Sequence, residues 1–288
     1  MGHTCPMLEG LTLARGRLDR MSDVRTDEPT LDRLREDAFV VGVCGDAVAV
    51  DGNRLRDCME LPREGTLLLG TAASRTYVAA LCEVPGAGFR SLREIGAMLA
   101  DDEAAVATAA VALHQWHRTH THCPRCGAPT VIAAGGWERH CTADGSAHFP
   151  RTDPAVIVVI VDAQDRLLLA RQTVWAHNRF SLVAGYVEPG ESAEHAVIRE
   201  VLEEVGVLVD NITFLGSQPW PFPASLMLCY RAVATSSAFR VDGTEIAEAL
   251  WVTREELPTL LAEERLLLPS QVSIARRAIE DWYGSALH

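Results

Sequence analysis

Apolar positions along the chain fall into two rhythms. Between residues 38 and 84 they come in short blocks broken by small turn residues, which predicts strand–turn–strand over 38–50 and further strands at 66–69 and 76–84. Residues 91–117 change to a helical spacing. Ser91 is a cap with Glu94 three residues on, and Leu92, Ile95, Leu99, Val106, Ala110 and Leu113 supply the apolar faces. Residues 120–150 lose periodicity and read as a Gly-rich loop region. The run from Ala155 to Val161 then predicts a buried strand, 162–165 a turn and 166–171 a return strand. A helix follows over 192–205, capped by Ser192 and striped by Ala193, Ala196, Val197, Val201 and Val205. Strands are expected at 212–215 and 226–234, and a last helix over 269–282. Residues 1–30 are weakly patterned. The pattern divides the chain into an N-terminal α+β domain (1–119), a short cysteine-bearing segment (120–150) and a larger C-terminal domain (151–288).

Composition narrows the class. Of 288 residues, 48% are hydrophobic and 23% charged, a globular balance. No apolar run approaches the roughly 20 residues of a membrane span, and the first residues lack a signal-peptide core, so a soluble, cytoplasmic protein is expected. The formal net charge of −13 argues against broad electrostatic binding to nucleic acid or anionic membrane. An anionic substrate therefore needs bound metal ions or oriented N–H groups. Cys5, Cys44, Cys58, Cys82 and Cys229 are scattered singly and read as small buried thiols.

Cys123, Cys126 and Cys141 are clustered. Cys123-Pro-Arg-Cys126 forms a two-residue-spaced pair, and Asp144 stands where a second such pair would end. That spacing predicts a structural zinc site, with Cys123, Cys126, Cys141 and Asp144 as ligands. His140 and His148 are the alternative fourth ligands.

On the 192–205 helix, Glu200 lies one turn before Glu203 and Glu204, so their carboxylates share a face. Such crowding calls for a positive partner, and hard cations such as Mg²⁺ or Mn²⁺ suit oxygen ligands. Arg199 is adjacent, and Glu191 stands near the helix start, placed to pair with an arginine or favour the helix dipole. Taken alone, a charge run of this kind is usually a solvated face. However, Gly185, Glu191, Arg199, Glu200, Val201, Glu203, Glu204, Gly206 and Val207 fill every defined position of a pattern that resembles the Nudix box. The resemblance implies a Nudix α/β/α sandwich with a mixed sheet, following a zinc-ribbon segment and the small N-terminal α+β domain. It also implies metal-dependent cleavage of a nucleoside diphosphate linked to another group.

Ser217-Gln-Pro-Trp-Pro-Phe-Pro-Ala-Ser225 reads by itself as a stiff loop, because its prolines exclude helix and central strand. Placed eleven residues after Gly206, it is similar to the specificity motif of the NADH pyrophosphatase subfamily, as are the cysteine cluster and the Trp116–His120 run before it. The departure is Asp144, where many relatives carry a fourth cysteine. The resemblance implies hydrolysis of NADH or NAD⁺ to AMP and the nicotinamide mononucleotide, and removal of NAD caps from RNA. Another nucleoside diphosphate derivative, such as ADP-ribose, is the alternative substrate. Catalytic residues implied are Glu200, Glu203, Glu204 and Glu245; the same four and the carbonyl of Ala184 are the implied Mg²⁺ or Mn²⁺ ligands. Glu203 and Glu245 both stand as candidates for the general base. Substrate contacts implied are Phe149, Tyr186, Gln218, Pro219, Trp220, Pro221, Phe222, Pro223, Ala224, Ser225 and Ala275. A homodimer is also implied.

Overall fold

The computed structural model describes residues 7–63 and 65–287; Cys5 lies outside the described residues. The chain forms two compact units. One comprises the described residues up to Thr12, residues 153–218 and the chain from Leu226 onward; the other comprises residues 13–152 and 219–225.

The second unit is built on short strands that are buried along most of their length. Its sheet contains β1 (Phe39–Cys44), β2 (Ala47–Asp51), β3 (Arg54–Leu55), β4 (Leu67–Ala72), β5 (Arg75–Leu81) and β6 (Phe89–Ser91). The order is β3-β2-β1-β5-β4, with β6 paired to β2. β1 and β5 run parallel and the remaining pairs antiparallel, so the sheet is mixed. Leu31 of α1 (Glu28–Asp37) packs with Val40, Leu68 and Val78. The single helix expected over 91–117 is instead α2 (Leu92–Ile95) and α3 (Asp101–Thr119). The break has a tertiary cause: the Arg15 guanidinium takes the carbonyls of Gly96 and Leu99 at 3.0 and 2.5 Å. Asp101, Asp102 and Glu103 then favour a fresh helix start through the macrodipole. The region expected to be loop contains a three-stranded sheet of β7 (Thr130–Ala133), β8 (Glu138–Cys141) and β9 (Ala147–His148), whose strands are too short to show a period.

The first unit is a sandwich. Its sheet contains β10 (Asp153–Val161), β11 (Leu167–Gln172), β12 (Val183–Tyr186), β13 (Val209–Trp220), β14 (Ser225–Ala234) and β15 (Ile246–Val252). The order is β13-β14-β10-β11-β15, with β12 on β10. Alternation along β10 feeds two cores. Val156, Val158 and Ile160 meet Ala196, Val197, Val201 and Val205 of α4 (Ala193–Val205). Ile157, Val159 and Val161 meet Leu257 of α5 (Leu257–Ala262) and Ile274, Ala278 and Trp282 of α6 (Ile274–Tyr283). The fold class is therefore α+β. β13 runs further than expected, through Pro219 to Trp220, because an edge strand tolerates a residue without an N–H. α6 begins later than expected, at the Ser273 cap, whose hydroxyl accepts from the Ala275 N–H. Among the described residues no helix is long and apolar enough to cross a membrane.

Candidate active site

The site grows from the C-terminal half of α4. The Ser192 hydroxyl accepts from the His195 N–H, which starts the helix just after the Gly185–Glu191 loop. One turn of helix then separates Glu200 from Glu203 and Glu204. Arg199 organises them. Its Nε and Nη2 donate to the two oxygens of Glu191 at 2.9 and 2.8 Å, while Nη1 donates to Glu200 at 2.8 Å and Glu203 at 3.0 Å. Nη2 also reaches the carbonyl of Tyr186 at 2.9 Å, tying the loop to the helix. These bonds, with that from the Glu188 N–H, hold the Glu191 carboxyl down at about 2. Glu191 is thus a brace for the loop.

Glu200 and Glu204 are buried, while Glu203 and Glu245 are exposed. Burial raises the Glu200 carboxyl above its ordinary value despite Arg199. Burial pushes Glu204 up to about 8, aided by repulsion from Glu200, Glu245, Asp242 and Glu203. Among the described residues no cation pairs with Glu204. Two buried carboxylates and one shared guanidinium leave a deficit of positive charge, and an oxygen donor set of this kind fits a hard divalent cation.

Close approach is built in at Gly185. A Cβ there would lie 2.0 Å from the Glu200 carboxyl carbon, so β12 and α4 meet through a residue without a side chain. The neighbouring Ala184 pairs with Ile157 of β10 in the same strand register. Glu245 sits on a turn that sequence reasoning left unexplained. Asp242 accepts from the Thr244 hydroxyl and from the N–H groups of Thr244, Glu245 and Ile246. Those bonds lower the Asp242 pKa, and the Asp242-Gly243 pair was the turn signal for them.

In the other unit, Cys123, Cys126, Cys141 and Asp144 offer ligand atoms that all lie within 4.8 Å of one another. Cys126 and Cys141 sulfurs are 3.5 Å apart, and the N–H groups of Arg125, Ala143 and Asp144 point at cysteine sulfurs at 3.4 Å. Three soft sulfurs and a carboxylate suit zinc. Asp144, rather than His140 or His148, completes this group; the His140 ring faces Glu138 at 2.8 Å.

The remaining predicted contacts scatter in character. Phe149 and Tyr186 are 63% and 55% exposed, which rules out core packing for both rings. Gln218 is fully buried and its amide donates to the Val272 carbonyl at 3.0 Å. Ala275 is buried in the core, and Ser225 is buried as well. Trp220 and Phe222 meet edge to face at 4.8 Å, beside half-buried Pro219 and Ala224, buried Pro221 and exposed Pro223. Arg93, which sequence reasoning missed, lies over both rings. An arginine far away in sequence carries no local signal of such a role.

Residues 151–271 match the NUDIX domain family, and residues 118–149 match the NADH pyrophosphatase zinc ribbon domain. The NAD-capped RNA hydrolase NudC of Mycobacterium tuberculosis is 44% identical over 200 residues, 66% of this chain and 64% of that protein. The human NAD-capped RNA hydrolase NUDT12 is 36% identical over 196 residues, 64% of this chain and 42% of that protein. The chain thus spans less than two thirds of the length of these relatives. A NUDIX hydrolase structure from Nitrosomonas europaea covers 58% of this chain and 96% of its own, at 21% identity and a TM-score of 0.46. The chain thus carries a NUDIX domain over residues 151–271, preceded over residues 118–149 by a zinc ribbon domain of the NADH pyrophosphatase type.

Proposed function

We propose that this protein hydrolyses the pyrophosphate bond of NADH or NAD⁺, releasing AMP and the nicotinamide mononucleotide, and that it acts likewise on NAD-capped RNA. The observation that carries the reading is the buried Glu200–Glu204 pair on α4, left without enough positive charge by a single shared arginine. Glu200, Glu203, Glu204, Glu245 and the Ala184 carbonyl would hold Mg²⁺ or Mn²⁺. Such ions supply positive charge to the pyrophosphate oxygens and acidify water. Water attacks one phosphorus, a new P–O bond forms, and the bridging P–O bond breaks. Glu203 or Glu245, both exposed, takes the proton from the attacking water.

Specificity is assigned to residues 217–225, with the exposed rings of Phe149 and Tyr186 as stacking surfaces for flat bases. The names of the relatives support the NAD cap as substrate. The same reading divides the chain into an N-terminal α+β domain (1–119), a zinc-ribbon-like segment (120–150) with Cys123, Cys126, Cys141 and Asp144 on the zinc, and a Nudix hydrolase domain (151–288). A cytoplasmic homodimer belongs to the same reading. Product analysis after incubation with NADH, NAD⁺, ADP-ribose and NAD-capped RNA tests it. A higher kcat/KM for ADP-ribose than for every NAD-containing substrate refutes the specificity, while no turnover of any of them refutes the hydrolase.

A further inference from the structure

The unit of residues 13–152 and 219–225 contains a cavity of about 670 Å³ that shares only Pro219 with the residues assigned above. Arg15, Arg17, Arg20 and Arg151 line it, and no carboxylate does. In a chain of net charge −13, an acid-free recess with four arginines is not a sample of the average surface.

The arginines are set by the local fold. Gly16 has φ +81°, and a Cβ there would lie 2.2 Å from the Asp101 carbonyl oxygen. That close approach presses residues 15–17 against the start of α3. Arg15 is spent on the fold, paired with Asp101 at 3.2 Å and bonded to the Gly96 and Leu99 carbonyls. Arg17 contributes only its backbone N–H, to Asp102 at 3.2 Å. Among the described residues neither Arg17 nor Arg20 has a carboxylate in ion-pair reach. The Arg20 guanidinium lies 5.3 Å from the Trp137 ring, whose indole N–H is pinned to the Leu68 carbonyl at 2.7 Å.

The floor has the opposite character. Ala105, Ala109 and Ala112 recur on one face of α3, between Leu13 and Leu113. Small side chains keep that floor low and flat, which leaves room for a planar ring, and the volume is within the range of small-ligand sites. An apolar floor, a fixed indole and two arginines without acid partners together select a ligand with a flat base and a phosphate.

We propose that this cavity binds a nucleoside phosphate, through Arg17 and Arg20 at the phosphate and the alanine face of α3 at the base. The site uses none of the α4 carboxylates and does not rest on the hydrolase reading. The test uses the full chain carrying Glu204→Gln, in EDTA, so that turnover and cation-dependent binding at α4 are both suppressed. Calorimetry with AMP should give saturable binding, weakened about 10-fold or more by Arg17→Ala and by Arg20→Ala. Inorganic phosphate and adenosine should each bind at least about 10-fold more weakly than AMP. Ala109→Leu, which raises the floor, should abolish binding. Absence of AMP binding, equal binding by phosphate or adenosine alone, or unchanged affinity in both exposed arginine variants each overturns the proposal. Arg17 is exposed, so its variant remains informative even if Ala109→Leu fails to fold.

Discussion

The guanidinium carbon of Arg93 lies 3.9 Å from the ring centroid of Phe222 and 5.0 Å from that of Trp220. Arg93 also approaches Asp46, at 3.8 Å, and Asp46 accepts from the Ser91 hydroxyl at 2.7 Å. The proline-rich stretch is thus clamped by a residue more than a hundred positions earlier. A contact of this type contributes about 1 kcal/mol, enough to set the conformation of a short loop. Arg93→Ala should raise KM for NADH about 5-fold with little change in kcat, and Arg93→Lys should recover part of it. Steady-state kinetics decide; equal effects on kcat and KM would point to general damage.

Glu204→Gln should lower kcat by about 1000-fold or more while leaving the metal-free protein at least as stable as the wild type. The second half follows from its raised pKa. A carboxyl near 8 in the folded state and 4.5 unfolded keeps its proton longer when folded. Metal-free stability should therefore fall as pH rises from 4.5 to 8, and Mg²⁺ should restore it at the upper end. Thermal melts in EDTA across that window, for wild type and variant, check both statements.

Gly185→Ala should uncouple the box loop from α4. The added Cβ meets the Glu200 carboxyl at 2.0 Å, so the carboxylate must leave its position. A fall in kcat of about 100-fold with weakened Mg²⁺ activation is expected, against a modest loss in melting temperature. Activity titrated against Mg²⁺ measures it.

His117 gives a pH effect of opposite sign. Its Nε2 lies 2.8 Å from the Gly136 carbonyl, which only accepts, so this nitrogen carries the proton. Nδ1 then accepts from the Arg139 guanidinium at 3.0 Å. Burial holds the ring neutral down to about 4, against 6.5 in the unfolded chain. Its contribution is intact above 6.5 and is lost as pH falls toward 4, up to about 3 kcal/mol. Urea unfolding at pH 7 and 4.5 should show that loss, and His117→Gln should reduce the pH dependence.

Purified protein should contain about one zinc per chain, lost in Cys126→Ser with a drop in melting temperature. Asp144→Cys should keep the ion and resist chelators better than the wild type, because thiolate holds zinc more strongly than carboxylate. Elemental analysis with chelator-challenge melts gives the comparison.

Much of the architecture was legible because its signals are local. The unbroken apolar run of 155–161 and the stripe on 193–205 are set by which surfaces must leave water, and both elements formed where expected. The spacing of Glu200, Glu203 and Glu204 is geometry written into one helical turn, and that of Cys123 and Cys126 into one knuckle. The β7–β9 sheet escaped because strands of two to four residues carry too little period to register.

What the sequence by itself determined is the set of groups that share a helix face or a turn, since covalent spacing and backbone geometry act within a few residues. Only the tertiary structure decided that Arg15 ends α2 and that Arg93 rather than a neighbour holds Trp220 and Phe222. It also decided that Gln218 spends its amide on Val272. Those pairings join residues distant in the chain or fix one rotamer among several. They depend on desolvation and close packing, which exist only once the sheets and helices have come together.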